Sequence, residues 1–183
     1  MGQFSTTHRL GLDVGQAAVK GIVLAGTGKS ITVRDARTLD CRAEGILGDE
    51  ELFNELPTWF GKVGWNRHDV IAAIPQYLAT TQTSDFPPGS EHNLDEMVAY
   101  ETHQLAGLSE ESFLFDYQRL PAKLGRHNPV VIGICRESVV TERADALVDA
   151  GLQLADITIN GTALAGAYFH LYPEAAASPA PQL

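Results

Sequence analysis

An acid that can hold a hydrated cation, a glycine amide that can meet an anion and a cation on the next strand make a phosphate site when they converge on one turn. Leu12-Asp13-Val14-Gly15-Gln16-Ala17-Ala18-Val19-Lys20 has these parts in that order. Asp13 lies near the end of an apolar run and is the residue that would hold Mg²⁺. Gly15 permits a tight turn and would leave its backbone N–H open to an anion. The Gln16 side-chain amide can donate to a phosphate oxygen. Lys20 stands on the next apolar run and could reach back over the turn. The same residues also suit an ordinary hairpin with a solvated acid and lysine. Spacing alone leaves both readings open.

Other residues capable of chemistry carry less. Gly28-Lys29-Ser30 looks like the end of a P-loop, but Val23 stands where the first glycine is required, and the residues after Ser30 are β-prone rather than helical. The histidines show no paired metal spacing, and His92 and His103 read as surface residues. Cys41 and Cys135 match no metal or redox spacing and read as buried free thiols in a reducing cytosol. Ser112 and Ser138 have neither a nearby base nor a nucleophile-elbow context. Trp59 and Trp65 flank a glycine-bearing turn and read as core.

The balance of charge removes further classes. The formal net charge of -10 comes without any Lys/Arg cluster, which speaks against nucleic acid as a partner. The acids read as solvated helix faces and turns. No run of about 18 apolar residues is present to span a bilayer, and the N-terminus has no apolar signal region. Met1-Gly2-Gln3-Phe4-Ser5-Thr6 fits the loose myristoylation pattern, which is short enough to match by chance.

The elements that must position the Asp13–Lys20 turn are legible in outline. Strands are expected over 9–15, 19–25 and 31–39, in a meander. A helix is expected over 49–63, kinked or split at Pro57. The apolar run 69–75 reads as a strand buried on both faces. A strand is expected over 78–86, then a helix opened by an Asn93–Glu96 capping box with Leu94, Met97, Val98 and Leu105 on one side. Strands over 112–120 and 130–135, a helix over 137–150 ended by Gly151, a strand over 154–159 and a helix over 162–172 complete the order. The tail is Pro- and Ala-rich and reads as a linker. The sequence βββαβ, βαβ, βαβα points to a mixed α/β sheet.

The first turn resembles the leading phosphate motif of the actin, sugar kinase and chaperone ATPase superfamily, Asp-x-Gly-Ser/Thr followed by Lys. Later segments resemble the PilM family and its relative FtsA. These are Ala73-Ile74-Pro75 with Thr80-Thr81-Gln82-Thr83 and Phe86-Pro87, then Tyr100-Glu101-Thr102-His103-Gln104-Leu105, Glu110-Glu111 and Phe115-Asp116-Tyr117-Gln118. The last is Val139-Val140 through Leu147-Val148-Asp149-Ala150-Gly151-Leu152. The resemblance runs from about Arg9 to Tyr172.

It implies an actin-like (ribonuclease H-like) mixed sheet flanked by helices with a small inserted α/β lobe. The main subdomain is expected over 1–77 and 127–174, the inserted one over 78–126, and a tail over 175–183. It implies a cytoplasmic scaffold of type IV pilus or related machinery. Such a scaffold docks the N-terminal tail of an inner-membrane partner, PilN in that family, in a groove between the main and inserted subdomains, sought first at the facing edges of 78–86 and 112–120. No catalysis is expected of this chain. Asp13, Gly15, Gln16 and Lys20 would contact ATP, with Asp13 on Mg²⁺, in a full-length parent. Gln16 stands in place of the usual Ser or Thr, and Asn160 where PilM relatives often carry an acid. The second phosphate hairpin would lie beyond Leu183, so the chain holds at most half a nucleotide site. A truncated ATPase or sugar kinase, and an FtsA-like filament former, are the alternative expectations.

Overall fold

The computed structural model describes residues 8–27, 30–65, 68–107, 111–120 and 125–172. Glu110, the Gly28-Lys29 pair and the tail lie outside them. The chain divides into two compact units, 1–75 with 144–183, and 76–143.

The first unit opens with β1 (His8–Val14), β2 (Ala18–Thr27) and β3 (Ser30–Asp40) in a meander, then α1 (Asp49–Val63) and β4 (Asp69–Ile74). Its later strand is β8 (Gln153–Ile159), followed by α4 (Asn160–Leu171). The sheet order is β3-β2-β1-β4-β8, with β1–β2 and β2–β3 antiparallel and β1–β4 and β4–β8 parallel. This is a mixed sheet of the kind expected from the sequence. The period of two sends Leu10, Leu12, Val14, Val19, Val23, Val70 and Ala72 to one face, where they meet Leu52, Leu56 and Phe60 of α1. β4 differs from expectation. Val70, Ala72 and Ile74 are buried, but Ile71 and Ala73 are half-buried, so only one face is fully covered.

One aromatic closes this core. α1 ends at Gly64, whose φ of 74° lets the next residue turn back, with Gly64 and Trp65 N–H both donating to the Phe60 carbonyl. Trp65 is then 2% exposed. Its ring lies on Gly21 of β2, where an added Cβ would sit 2.1 Å from ring carbon Cζ3. Its Nε1–H donates to Asp35 Oδ2 at 3.1 Å. Asp35 reaches that face because Arg34 is an extra residue in the β2–β3 ladder, a bulge between Val23 and Leu24. Trp59 meets Trp65 edge-on at 5.3 Å. Pro57 does not split α1. It faces solvent, where a missing backbone donor is least costly.

The second unit is built from β5 (Ala79–Phe86), α2 (Leu94–Ala106), β6 (Phe113–Arg119) and β7 (Asn128–Arg136). α3 (Glu137–Asp149) starts in this unit and ends in the first. The sheet order is β5-β7-β6, antiparallel throughout. β7 was expected in the main subdomain with the insert ending at 126; its ladders with β5 and β6 place it in the second unit, which runs to Arg143. Val130, Ile132 and Ile134 of β7 pack with Phe86, Leu94 and Val98. Thr102, not Leu105, takes the next inward position on α2, and its hydroxyl is satisfied by the Val98 carbonyl at 2.7 Å. Asn93 is the N-cap of α2 but makes no side-chain capping bond, so the expected capping box does not close.

Gly21→Ala forces a methyl into the Trp65 ring, and overpacking of this kind costs about 1–3 kcal/mol. A lowered urea midpoint with an unchanged slope is expected; an unchanged midpoint would refute the close approach. Acid should act on the same contact. Burial opposes ionisation of Asp35, but the Trp65 N–H and the Arg37 guanidinium outweigh it and hold the carboxyl below its ordinary value. A lowered folded pKa means stability that is present above the ordinary carboxylate range and lost as pH falls through the folded value. Asp35→Asn should flatten the acid limb of a stability-versus-pH curve followed by Trp fluorescence.

Candidate functional site

The β1–β2 register sets Asp13 opposite Lys20 and Val14 opposite Val19. Asp13 and Lys20 therefore share the face away from Trp65. Lys20 Nζ lies 3.7 Å from Asp13 Oδ2, with the two side chains 64% and 34% exposed. A solvated pair of this kind contributes little to stability. It leaves the acid neutralised by the cation that was to meet phosphate.

The turn itself is already engaged. Gly15 N–H donates to the Ala18 carbonyl at 3.2 Å, so the open amide expected from the sequence is not found. A Cβ at Gly15 would sit 3.3 Å from that same carbonyl oxygen, which explains the glycine by close backbone approach. The chain beyond β3 closes the turn from the other side. Cys41 N–H donates to the Ala17 carbonyl at 3.1 Å, and the Cys41 thiol faces the Gly15 carbonyl. Burial raises the Cys41 thiol pKa, so it sits there as a packed neutral group rather than a nucleophile. Gln16 is exposed at the tip. Among the described residues no three His, Cys, Asp or Glu side chains assemble as a metal cluster.

A concavity of about 680 Å³ in this unit lies between the end of β3, the turn after it and α1. Asp40, Glu44, Glu51 and Glu55 line it, with Lys62. That charge suits no phosphate.

In the second unit the strands 78–86 and 112–120, whose edges were to be searched first for the groove, are the two outer strands, with β7 between them. Three polar clusters there were missed in the sequence. Asp85 accepts from the His127 and Asn128 amides at 3.0 and 2.9 Å, and the Asn128 side chain donates to the Pro87 carbonyl and to Glu91. Ser84 bonds Glu101, and the Tyr117 hydroxyl bonds Asp95, a contact that raises the phenol pKa. An acid at the end of a strand, just before Pro87-Pro88, was the available signal for the first. The other two depend on which helix face meets the sheet. Cys135 is buried against the Leu78 carbonyl at 3.3 Å, as expected of a free thiol.

No protein-family model matches the chain, and no curated protein matches it by sequence. Solved structures do. A chain of the PilM–PilN type IV pilus biogenesis complex superposes with a TM-score of 0.65 at 18% identity, over 82% of this chain and 47% of that one. The cytoplasmic domain of EpsL, an inner-membrane component of the type II secretion system of Vibrio cholerae, superposes with a TM-score of 0.54 at 14% identity, over 84% of this chain and 57% of that one. The chain thus spans about half the length of the structures it resembles. At these identities the likeness establishes a shared fold, and it agrees with the resemblance read from the sequence.

Titration of the chain with ATP and Mg²⁺ in a calorimeter should give no micromolar binding, because the Gly15 amide is spent and Lys20 already pairs with Asp13. Micromolar affinity would overturn this reading of the turn.

Proposed function

We propose that this chain is a docking module of type IV pilus or related secretion machinery, which holds the N-terminal tail of an inner-membrane partner from the cytoplasmic side. The fold shared with a chain of the PilM–PilN complex over 82% of this chain is the observation that carries the reading. The hairpin is consistent with it: the Gly15 amide is bound to the Ala18 carbonyl, and Lys20 pairs with Asp13. No described helix is long and apolar enough to cross a membrane, and attachment through a protein partner accommodates that.

On this reading ATP and Mg²⁺ belong to a longer parent, with Asp13, Gln16 and Lys20 supplying one side of the site. The tail would bind as an extended peptide, with backbone bonds giving affinity and pockets giving specificity.

The test is retention of the chain on an immobilised PilN-like N-terminal peptide. Binding with a dissociation constant on the order of tens of micromolar or tighter is expected. Failure to bind at that concentration removes the docking reading.

A further inference from the structure

β5 is an edge strand that lacks the usual guards. Edge strands avoid unwanted pairing through charge, proline or bulges. β3 carries Arg34, Asp35 and Arg37 together with its bulge. β6 carries Asp116 and Arg119, and β8 carries Asp156 beside a break in register with β4. From Ala79 to Ser84, β5 carries no charge and no proline, and its ladder with β7 is unbroken. Its one acid, Asp85, is turned to the His127 and Asn128 amides rather than used as a guard. Four of its first six residues are Thr or Ala, with Thr80, Thr81 and Thr83 exposed. This strand is suited to accept another.

Beside it lies a groove of about 570 Å³ between β5 and α2. Phe86, Met97, Tyr100 and Leu105 supply its apolar lining. Tyr100 is 68% exposed and Leu105 37%, so apolar surface stands ready for burial. Among the described residues Glu96 and Glu101 are its charged lining, and neither Lys nor Arg lines it. The Ser84 hydroxyl fixes Glu101 against β5. An occupant of this groove must meet an acidic, partly apolar surface while its backbone lies along a strand edge.

We propose that the β5 edge and the β5–α2 groove bind an extended segment of a partner protein whose every second side chain, on the α2 side, is apolar, with a basic one among them. The segment adds a fourth strand beside β5 through backbone hydrogen bonds. The period of two then sends its alternate side chains to opposite faces. Those on the α2 side fill the space against Tyr100 and Leu105, and a basic side chain at the groove's rim meets Glu96 and Glu101. The groove lies wholly within the second unit. The proposal rests on the docking reading above and gives that reading a location and a charge preference.

The experiment uses the full chain, isotope-labelled, and synthetic eight-residue peptides. One peptide carries three leucines and one arginine at alternate positions with threonine between them, one has glutamate in place of that arginine, and one has the first composition with its leucines and arginine in a block. The first peptide should bind, with amide shifts confined to Ala79–Phe86 and Met97–Leu105. The second should not bind, and the third should bind at least about tenfold more weakly. The doubly substituted chain Glu96→Lys, Glu101→Lys should lose the leucine–arginine peptide by at least about tenfold and gain the leucine–glutamate one. That gain is a signal a misfolded variant cannot give.

Equal binding of the alternating and blocked peptides, shifts elsewhere on the chain, or no binding of the first peptide would each overturn the proposal. So would concentration-dependent dimerisation through β5, which would assign the edge to a second copy. Loss of the PilN-like tail by the unsubstituted chain, with the leucine–arginine peptide still bound at β5, would remove the docking reading and leave the groove standing. Retention of the tail by the charge-reversed chain would overturn the location and leave docking intact.

Discussion

The Trp65 ring fills the volume that any side chain at residue 21 would need, and the first unit is arranged around that contact. Gly64 supplies the left-handed turn that brings the ring back from the end of α1. The bulge at Arg34 supplies the acceptor for its indole N–H. The contact therefore ties α1 to β2 and β3 at one point. It also fixes parity. Gly21 must face α1, so Lys20 must face the other way, and the ladder carries Asp13 with it. A slip of one residue would exchange the two faces and bury the ion pair under the helix. The position of the candidate site is a consequence of where the ring sits.

The second unit reaches order by different means. It has a smaller core, six buried side chains from β5, α2 and β7, and among the described residues no buried aromatic as large as Trp65. Polar contacts do more of the fastening. The Asp85 carboxylate holds two amides at the start of β7, and the Asn128 side chain bridges back to Pro87 and Glu91. Glu101 and Asp95 each take a hydroxyl from the sheet. Charge-assisted bonds of this kind are stronger than neutral ones and fix geometry. They also commit most of the acids on this side of α2, while Glu96 stands exposed on the same helix.

Much of the element order was legible because it depends on local chemistry. Gly151 after α3, the Val70–Ile74 run and the helical spacing of Leu52, Leu56 and Phe60 each act within a few residues. What was not legible depends on partners distant in sequence. β7 was placed with the main sheet because its apolar run looks the same whichever strands flank it; only its pairing to 79–86 and 113–119 decides. The turn at Gly15 read as open because Cys41, which closes it through the Ala17 carbonyl, arrives only once β3 has formed; the Gly15–Ala18 bond is local and depends on the conformation of the turn. Pro57 and Asn93 erred for a simpler reason. Propensity names the cost or benefit of a residue, while exposure decides whether it is felt.

The parallel pairing of β4 with β8 joins Asp69–Ile74 to Gln153–Ile159, with the whole of the second unit in between. Seen as kinetics, the main sheet cannot be completed by neighbouring chain alone. Its last strand must wait for a long loop to close, and non-local pairings of this sort slow folding. Prior collapse of 76–143 into its own sheet shortens that loop to the span between the unit's two ends. Loop-closure cost falls by only about 0.6 kcal/mol for each halving of length, so the larger gain is geometric. α3 grows directly out of β7 at Glu137 and carries the chain on to Gly151, so a finished second unit delivers β8 already aimed by a helix. The insertion thus sets the sequence separation across which the parallel β4–β8 pairing has to form.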